Sequence, residues 1–353
     1  MNTFAGMTSE RLRQIVVRFA QPRIAVVGDF FLDKYLDVDP SLAEISLETG
    51  KTAHQVASVR HSPGAAGTVV SNLAALGAKT LYTVGFTGRD GEAFDLRNDL
   101  AALGCVTNDL IEDAQRRTPT YLKPRNKNDA SLAGEHDRYD TKNRDFTPDD
   151  MQERIVQSLD QLLPQIDALI VMDQVEERDG GVITATVAAA IAERAKQYPN
   201  VIFWADSRRR IRQFRNVIIK PNQFEAADIE NPAPDAKVEL PILEQAMRHL
   251  RTITGAPVCT TRGADGILVS DPEITLVPGV RVAGPIDSTG AGDSVTAGVV
   301  LALAAGATLP EAALVGNLVA SITVEQLATT GTARPEQLEP RLAKWQEQQK
   351  GRF

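Results

Sequence analysis

Short, nearly continuous apolar runs punctuate the chain at residues 24–28, 81–85, 168–172, 201–205, 217–219, 258–261 and 267–270. Runs this brief and this uninterrupted fit strands buried on both faces. Between many of them apolar positions recur at helical spacing, over residues 69–76, 92–103, 151–163, 183–197 and 240–253. The alternation predicts an α/β chain whose helices cover both faces of a mainly parallel sheet. The last third changes rhythm, with helices expected in succession at 290–305, 310–327 and 335–349. Two polar stretches, about 35–62 and 116–139, carry Thr, Val and Tyr at strand-like spacing. They predict a small β lid projecting from the body, with a pair of long surface loops as the alternative. Residues 1–22 read as an amphipathic helical extension opened by Thr8 or Ser9. The expected organisation is therefore an extension (1–22), a main domain (23–334) and a C-terminal helix (335–353).

In a sheet of this kind ligands gather at the carboxyl ends of the strands. That places interest on Asp29, Asp173, Asp206, Asn222 and Arg262, which follow apolar runs. Charge narrows the choice of ligand. Lys and Arg number 38 against 46 Asp and Glu, a net charge of -8. A nucleic-acid binder needs a basic face, so none is expected as a partner. One local basic pocket for a small phosphorylated molecule is still compatible with that balance. Cys105 and Cys259 lie far apart and outside any CxxC pattern, which argues against a disulfide framework or structural zinc and for a cytoplasmic setting. No apolar run reaches the roughly 18 residues of a membrane span, and the N-terminus lacks the apolar core of a signal peptide.

The most informative segment runs from Gly284 to Gly298. Gly290, Ala291 and Gly292 precede a long helix, so unpaired amides and the helix dipole there make an anion site. Asp293 falls in the first turn, beside whatever anion binds. A carboxylate is a poor neighbour for an anion unless it accepts a proton from a hydroxyl about to attack a phosphoryl group. Asp also caps helices, but the segment as a whole favours catalysis. No G-x-x-x-x-G-K-[ST] occurs, and Gly290-Ala291-Gly292 lacks the third glycine of a dinucleotide fingerprint.

Asp287-Ser-Thr-Gly-Ala-Gly-Asp293 resembles the D-x-x-G-A-G-D signature of the ribokinase-like (PfkB) carbohydrate kinases. Gly28-Asp29-Phe-Phe-Leu-Asp33, Pro63-Gly64-Ala65-Ala66-Gly67, Gly85-Phe-Thr-Gly-Arg-Asp90-Gly91, Lys220-Pro-Asn222-Gln-Phe-Glu225 and Thr261-Arg262-Gly263-Ala-Asp-Gly266 follow in that family's order. The likeness covers roughly residues 24–334 and is nearest to the heptose 7-phosphate kinases. It implies a ribokinase-like three-layer α/β/α fold with a small β lid. It also implies ATP and magnesium as cofactors, with potassium to be considered, and a sugar or sugar phosphate as acceptor. Asp293 would be the base, and Gly290, Ala291 and Gly292 the anion hole. Asn222 and Glu225 would hold magnesium through water. Thr261, Gly263, Gly266, Asp287 and Asn317 would line the nucleotide side, and Asp33, Gly64, Ala65, Thr68, Asp173 and Arg208 the acceptor side. Exposed lid edges would pair two copies into a homodimer. A second, nucleotidyl-transferring domain is not expected in this length of chain.

Departures cluster on the acceptor side. Thr68 stands where the family has Asn, Ala65 replaces a glycine, and Asp173-Gln-Val-Glu-Glu-Arg replaces a D-Y-A-K-G run. They leave open a nucleoside or vitamin-precursor kinase, or a retired kinase that only binds.

Overall fold

Alternation inside the apolar runs decides the layering. In β2 (Arg23–Gly28), Ile24 and Val26 enter one core while Ala25 and Val27 enter the other. In β9 (Ala168–Asp173), Ala168, Ile170 and Met172 face the first core and Leu169 and Val171 the second. A strand with apolar residues on both faces must lie between two helical layers. The computed structural model describes residues 1–129, 132–327 and 329–350; residues 130–131 of the expected lid, 328 of the expected main domain and 351–353 of the expected C-terminal helix lie outside them.

Among the described residues the central sheet is parallel throughout, in the order β11 (Ile218–Ile219), β10 (Ile202–Ser207), β9, β2, β5 (Thr80–Thr87), β6 (Val106–Glu112). The chain winds outward from β2 in one direction, then returns to β9 and winds the other way. The β2–β9 junction is thus a switch point, where a crevice opens at the carboxyl ends of the strands.

One face is covered by α1 (Ser9–Val16), α2 (Ala66–Ala75), α3 (Gly91–Ala102), α8 (Ala291–Ala304), α9 (Leu309–Thr323) and α10 (Leu338–Gln349). The other carries α4 (Asp149–Leu162), α5 (Ala185–Gln197), the short α6 (Gln223–Ala227) and α7 (Leu240–Thr254). The N-terminal helix, capped by Thr8, buries Leu12 and Ile15 in the first core, where Trp345 of α10 also lies.

The runs at 258–261 and 267–270 form β12 (Cys259–Thr261) and β13 (Ile267–Val269), paired antiparallel with each other. Only a tight turn at Gly263–Asp265 joins them, too short for the crossover that parallel strands need. β14 (Thr275–Val277) and β1 (Asn2–Thr3) extend this ladder, and bridges from Ile219 to Val258 and from Asn222 to Thr261 attach it to the central sheet.

The polar stretches build a lid sheet in the order β4 (Thr52–Ala65), β3 (Phe30–Ile45), β7 (Thr120–Asn126), β8 (Tyr139–Thr141). β3 starts at Phe30, with only Asp29 between it and the end of β2: Phe30, Phe31 and Leu32 are buried at the body, and only the later residues run out to solvent. This change of environment along a single strand hides its beginning from a reading by polarity.

Candidate active site

At the carboxyl end of the sheet, residues far apart in the chain line one cleft. Asp33 and Phe31 come from β3, and Ala65 and Thr68 from the start of α2. Tyr121 and Lys123 come from β7, Arg208 follows β10, and Gly290 and Asp293 open α8.

Gly290 is the N-cap of α8, at φ 74°. A Cβ there would stand 2.9 Å from Thr330 Cγ2 and 3.2 Å from Thr68 Cγ2, so a bare backbone is needed for the helix start to meet the cleft wall. The amide of Ala291 donates to the Ser288 carbonyl at 3.1 Å, which removes it from the expected anion hole. The amides of Gly292 and Asp293 are left over at the helix start. Asp287 is buried behind the turn, its Oδ1 accepting from the Thr289 amide at 3.0 Å.

Burial pushes the Asp293 carboxyl up to about 7; Asp206 and Asp33 add to the push, while Lys220 and Arg208 oppose it. A carboxylate poised near neutrality can take up and release a proton under ordinary conditions.

Lys220 was not singled out from the sequence. It is 5% exposed, with Nζ 2.8 Å from Asp206 Oδ2. The same Nζ lies 3.5 Å from where a Cβ on Gly292 would stand, so a buried ammonium underlies the helix start. Burial works against its charge, but Asp206, with Glu225 and Asp293, holds its pKa above the ordinary lysine value. Its signal in the sequence is a charged residue closing the apolar run 217–219.

Asn222 and Glu225 form a capping box at the start of α6. Asn222 Oδ1 accepts from the Phe224 and Glu225 amides at 2.8 and 3.0 Å, and Glu225 Oε2 accepts from the Asn222 amide at 2.7 Å. Burial raises the Glu225 carboxyl. Thr261 bridges to Asn222, and its amide donates to the Pro221 carbonyl at 3.0 Å. Gly263 and Gly266 bound the following turn. A Cβ on Gly266 would lie 2.2 Å from the Val277 carbonyl oxygen, which only glycine avoids.

Asp173 and Asn317 are among the expected site residues that do not line the cleft. Asp173 is buried and locked by Arg210, 2.5 Å from Oδ1, and by Ser207 Oγ, 2.6 Å from Oδ2. The arginine that answers Asp173 is thus Arg210, while Arg208 reaches the cleft and pairs with Glu176 at 3.1 Å. Asn317 spends its amide on the carbonyls of Val277 and Pro278, both at 3.1 Å, and so ties α9 to the end of β14. Gly64 sits behind the wall, where a Cβ would come within 2.9 Å of Asp33 Oδ2. Asp29 accepts from the amides of Gln174, Val175 and Val182 at 2.8, 3.0 and 2.7 Å, which shapes the loop after β9. Burial, with Asp173 adding to it, pushes the Asp29 carboxyl up to about 6.

The donor set fits a polyphosphate: leftover amides, a buried ammonium and a glycine turn. Among the described residues no group of three or more His, Cys, Asp or Glu could cage a metal. Asn222 and Glu225 each give one side-chain oxygen to the capping box.

Comparison with known proteins bears on the family and the fold. The model of the pfkB family carbohydrate kinases matches residues 21–336. The bifunctional protein HldE of Desulfatibacillum aliphaticivorans is 31% identical over 325 residues, covering 91% of this chain and 63% of the relative. The HldE protein of Pseudomonas paraeruginosa is 32% identical over 324 residues, with 90% and 63% covered. The chain thus spans about 63% of the length of these relatives. Among solved structures, Arabidopsis thaliana ribokinase complexed with ribose and ATP superposes with a TM-score of 0.64 at 18% identity, over 91% of this chain and 98% of the other. Escherichia coli phosphofructokinase-2 in complex with potassium gives 0.67 at 18% identity, over 92% and 99%. The fold is ribokinase-like, and the chain belongs to the PfkB family of carbohydrate kinases.

Proposed function

We propose that the chain transfers the terminal phosphoryl group of ATP to a hydroxyl of a sugar or sugar phosphate. The observation that carries the reading is Asp293: a carboxyl with a pKa near 7, beside leftover helix amides, in the same cleft as Asp33. Asp293 takes the proton of the acceptor hydroxyl. The amides of Gly292 and Asp293 and the ammonium of Lys220 stabilise charge gathering on the transferred phosphoryl group. Magnesium, when bound, neutralises the phosphates, and Asn222 and Glu225 hold its waters. Thr261, Gly263 and Gly266 line the nucleotide side. Asp33, Thr68 and Arg208 hold the acceptor, with Ala65 beside it and Gly64 leaving space behind for the Asp33 carboxylate. Lys123, Arg138 and Arg208 all line the cleft, which favours an anionic acceptor. A heptose 7-phosphate-like compound, which the sequence resemblance implies, is therefore the first to test.

The lid's outer strand, β4, has no partner on its far edge among the described residues and exposes Val56 and Val59. We assign that edge to a second copy of the chain, with light scattering as the test. Cys105 and Cys259 are both unpaired, in keeping with a reducing, cytoplasmic setting.

A panel of sugars, sugar phosphates and nucleosides, followed by acceptor-dependent ADP release with magnesium and with potassium or sodium, tests the reading. Asp293→Asn should cut turnover on the best acceptor at least ~10²-fold and leave ATP affinity near the parent value. Equal turnover by parent and variant would remove Asp293 from its role. Thr68, in place of the family Asn, favours the retired-kinase alternative; silence across the panel, with ATP still bound, would support it.

A further inference from the structure

Lys123 lies on β7 and Asp33 on β3, neighbouring strands of the lid sheet, and both side chains are buried. The Lys123 Nζ stands 3.0 Å from Asp33 Oδ1 and 3.4 Å from the Tyr35 hydroxyl. It also lies over the Tyr35 ring, 5.0 Å from the centroid. Both charged residues line the cleft that holds Asp293. The pair is close but poorly aligned, since Asp33 Oδ1 receives no hydrogen bond.

A buried ion pair is a weak source of stability, because the loss of hydration offsets the attraction, and apolar replacements of both partners are often neutral or better. A pair with incomplete hydrogen bonding is weaker still. What it does offer is an acceptor and a donor side by side on one wall. Resting on the kinase reading above, we propose that Lys123 determines acceptor specificity with Asp33, the two binding neighbouring hydroxyls of the sugar. One hydroxyl donates to the Asp33 carboxylate, and the next accepts from the Lys123 ammonium. The tyrosine face beside Lys123 keeps the ammonium charged without occupying its remaining N–H groups.

The test uses the best acceptor from a panel of ribose, fructose 6-phosphate and heptose 7-phosphate, each with its monodeoxy analogues. Lys123→Met should raise the KM for the acceptor about 10-fold or more and keep that for ATP within about 2-fold. One monodeoxy analogue that is about 10-fold worse for the parent should be no worse than its hydroxylated form for the variant, because the partner of that hydroxyl is already gone. Lys123→Arg keeps the cation and guards against a folding failure; it should recover part of the acceptor affinity. Independent, multiplying penalties, an unchanged acceptor KM, or an arginine variant indistinguishable from the parent on every analogue would overturn the proposal and leave the pair as a strand clamp. A parent silent on the whole panel would instead overturn the kinase reading, and this inference with it.

Discussion

The two walls of the cleft are built by different means. One wall is the start of α8, which like the β11–α6 corner and the turn after β12 is made of local motifs. Their working groups lie within a few residues of the glycines and caps that place them: Asp293 beside Gly290 and Gly292, Glu225 beside Asn222. The opposite wall is assembled across the chain. Lys123 meets Asp33, Arg208 meets Glu176, and Asp29 gathers the amides of residues 174, 175 and 182. On the proposed reading a local wall would fix the chemistry, since a proton acceptor and its neighbouring amides must keep one geometry. A wall built from long-range pairs can be rebuilt to suit another acceptor without disturbing the transfer step.

The most damaging way to break the local wall is from beneath. Lys220→Met leaves the buried Asp206 without its countercharge, only the Thr296 hydroxyl still donating to it, and removing one partner of such a pair costs about 3–5 kcal/mol. Urea unfolding should show that loss, and the phosphoryl-transfer rate of the folded fraction should fall as well. A variant as stable as the parent would mean that the Lys220–Asp206 pair contributes nothing to the fold.

The pKa of Asp293, about 7, gives the second test. As a base it must be ionised, so kcat/KM should fall tenfold per pH unit below about 7. The stability effect has the opposite sense. A carboxyl raised from its unfolded value of ~4 binds its proton more tightly in the native state. Its contribution is therefore full below ~4 and lost as pH rises through about 7. Asp293→Asn should thus unfold at a higher temperature than the parent at pH 8, with the gain shrinking as pH falls and gone below ~4. Asp29, raised to about 6, adds a decline of the same sign in the parent and variant alike, so the difference isolates Asp293.

The contrast between the walls also explains what could be read from the chain. The central strands were legible because Ile24 to Val27 and Ala168 to Met172 are apolar on both faces, which one environment imposes. The lid was legible from its alternation, but not where β3 begins, because Phe30 and Phe31 belong to the body. At the helix start the glycines and Asp293 stood together in sequence. Which of their amides stay unpaired did not, since Ser288 takes that of Ala291. Lys123 and Arg210 eluded the reading for another reason: their partners, Asp33 and Asp173, lie 90 and 37 residues away, and spacing cannot announce such a meeting. Asn317, which the resemblance implies for the nucleotide side, gives its amide to two carbonyls at the end of β14, and a motif match cannot show where an amide is spent.

The smallest effect bears on the assembled wall. Arg208 lines both the cleft and the adjoining cavity beneath Phe86 and Val182, and its pair with Glu176 is solvent-accessible. An exposed pair contributes about 0–1 kcal/mol, so Arg208→Ala should fold like the parent. If the guanidinium receives the acceptor's anionic group, the variant should raise the KM for a sugar phosphate about 10-fold while leaving that for the unphosphorylated sugar within about 2-fold. Steady-state kinetics on the matched pair of acceptors decides it. Equal losses on both would mean that Arg208 only shapes the wall, and the anionic group would then have to be met by Arg138, which already stacks over Tyr121 at 4.5 Å on the lid side.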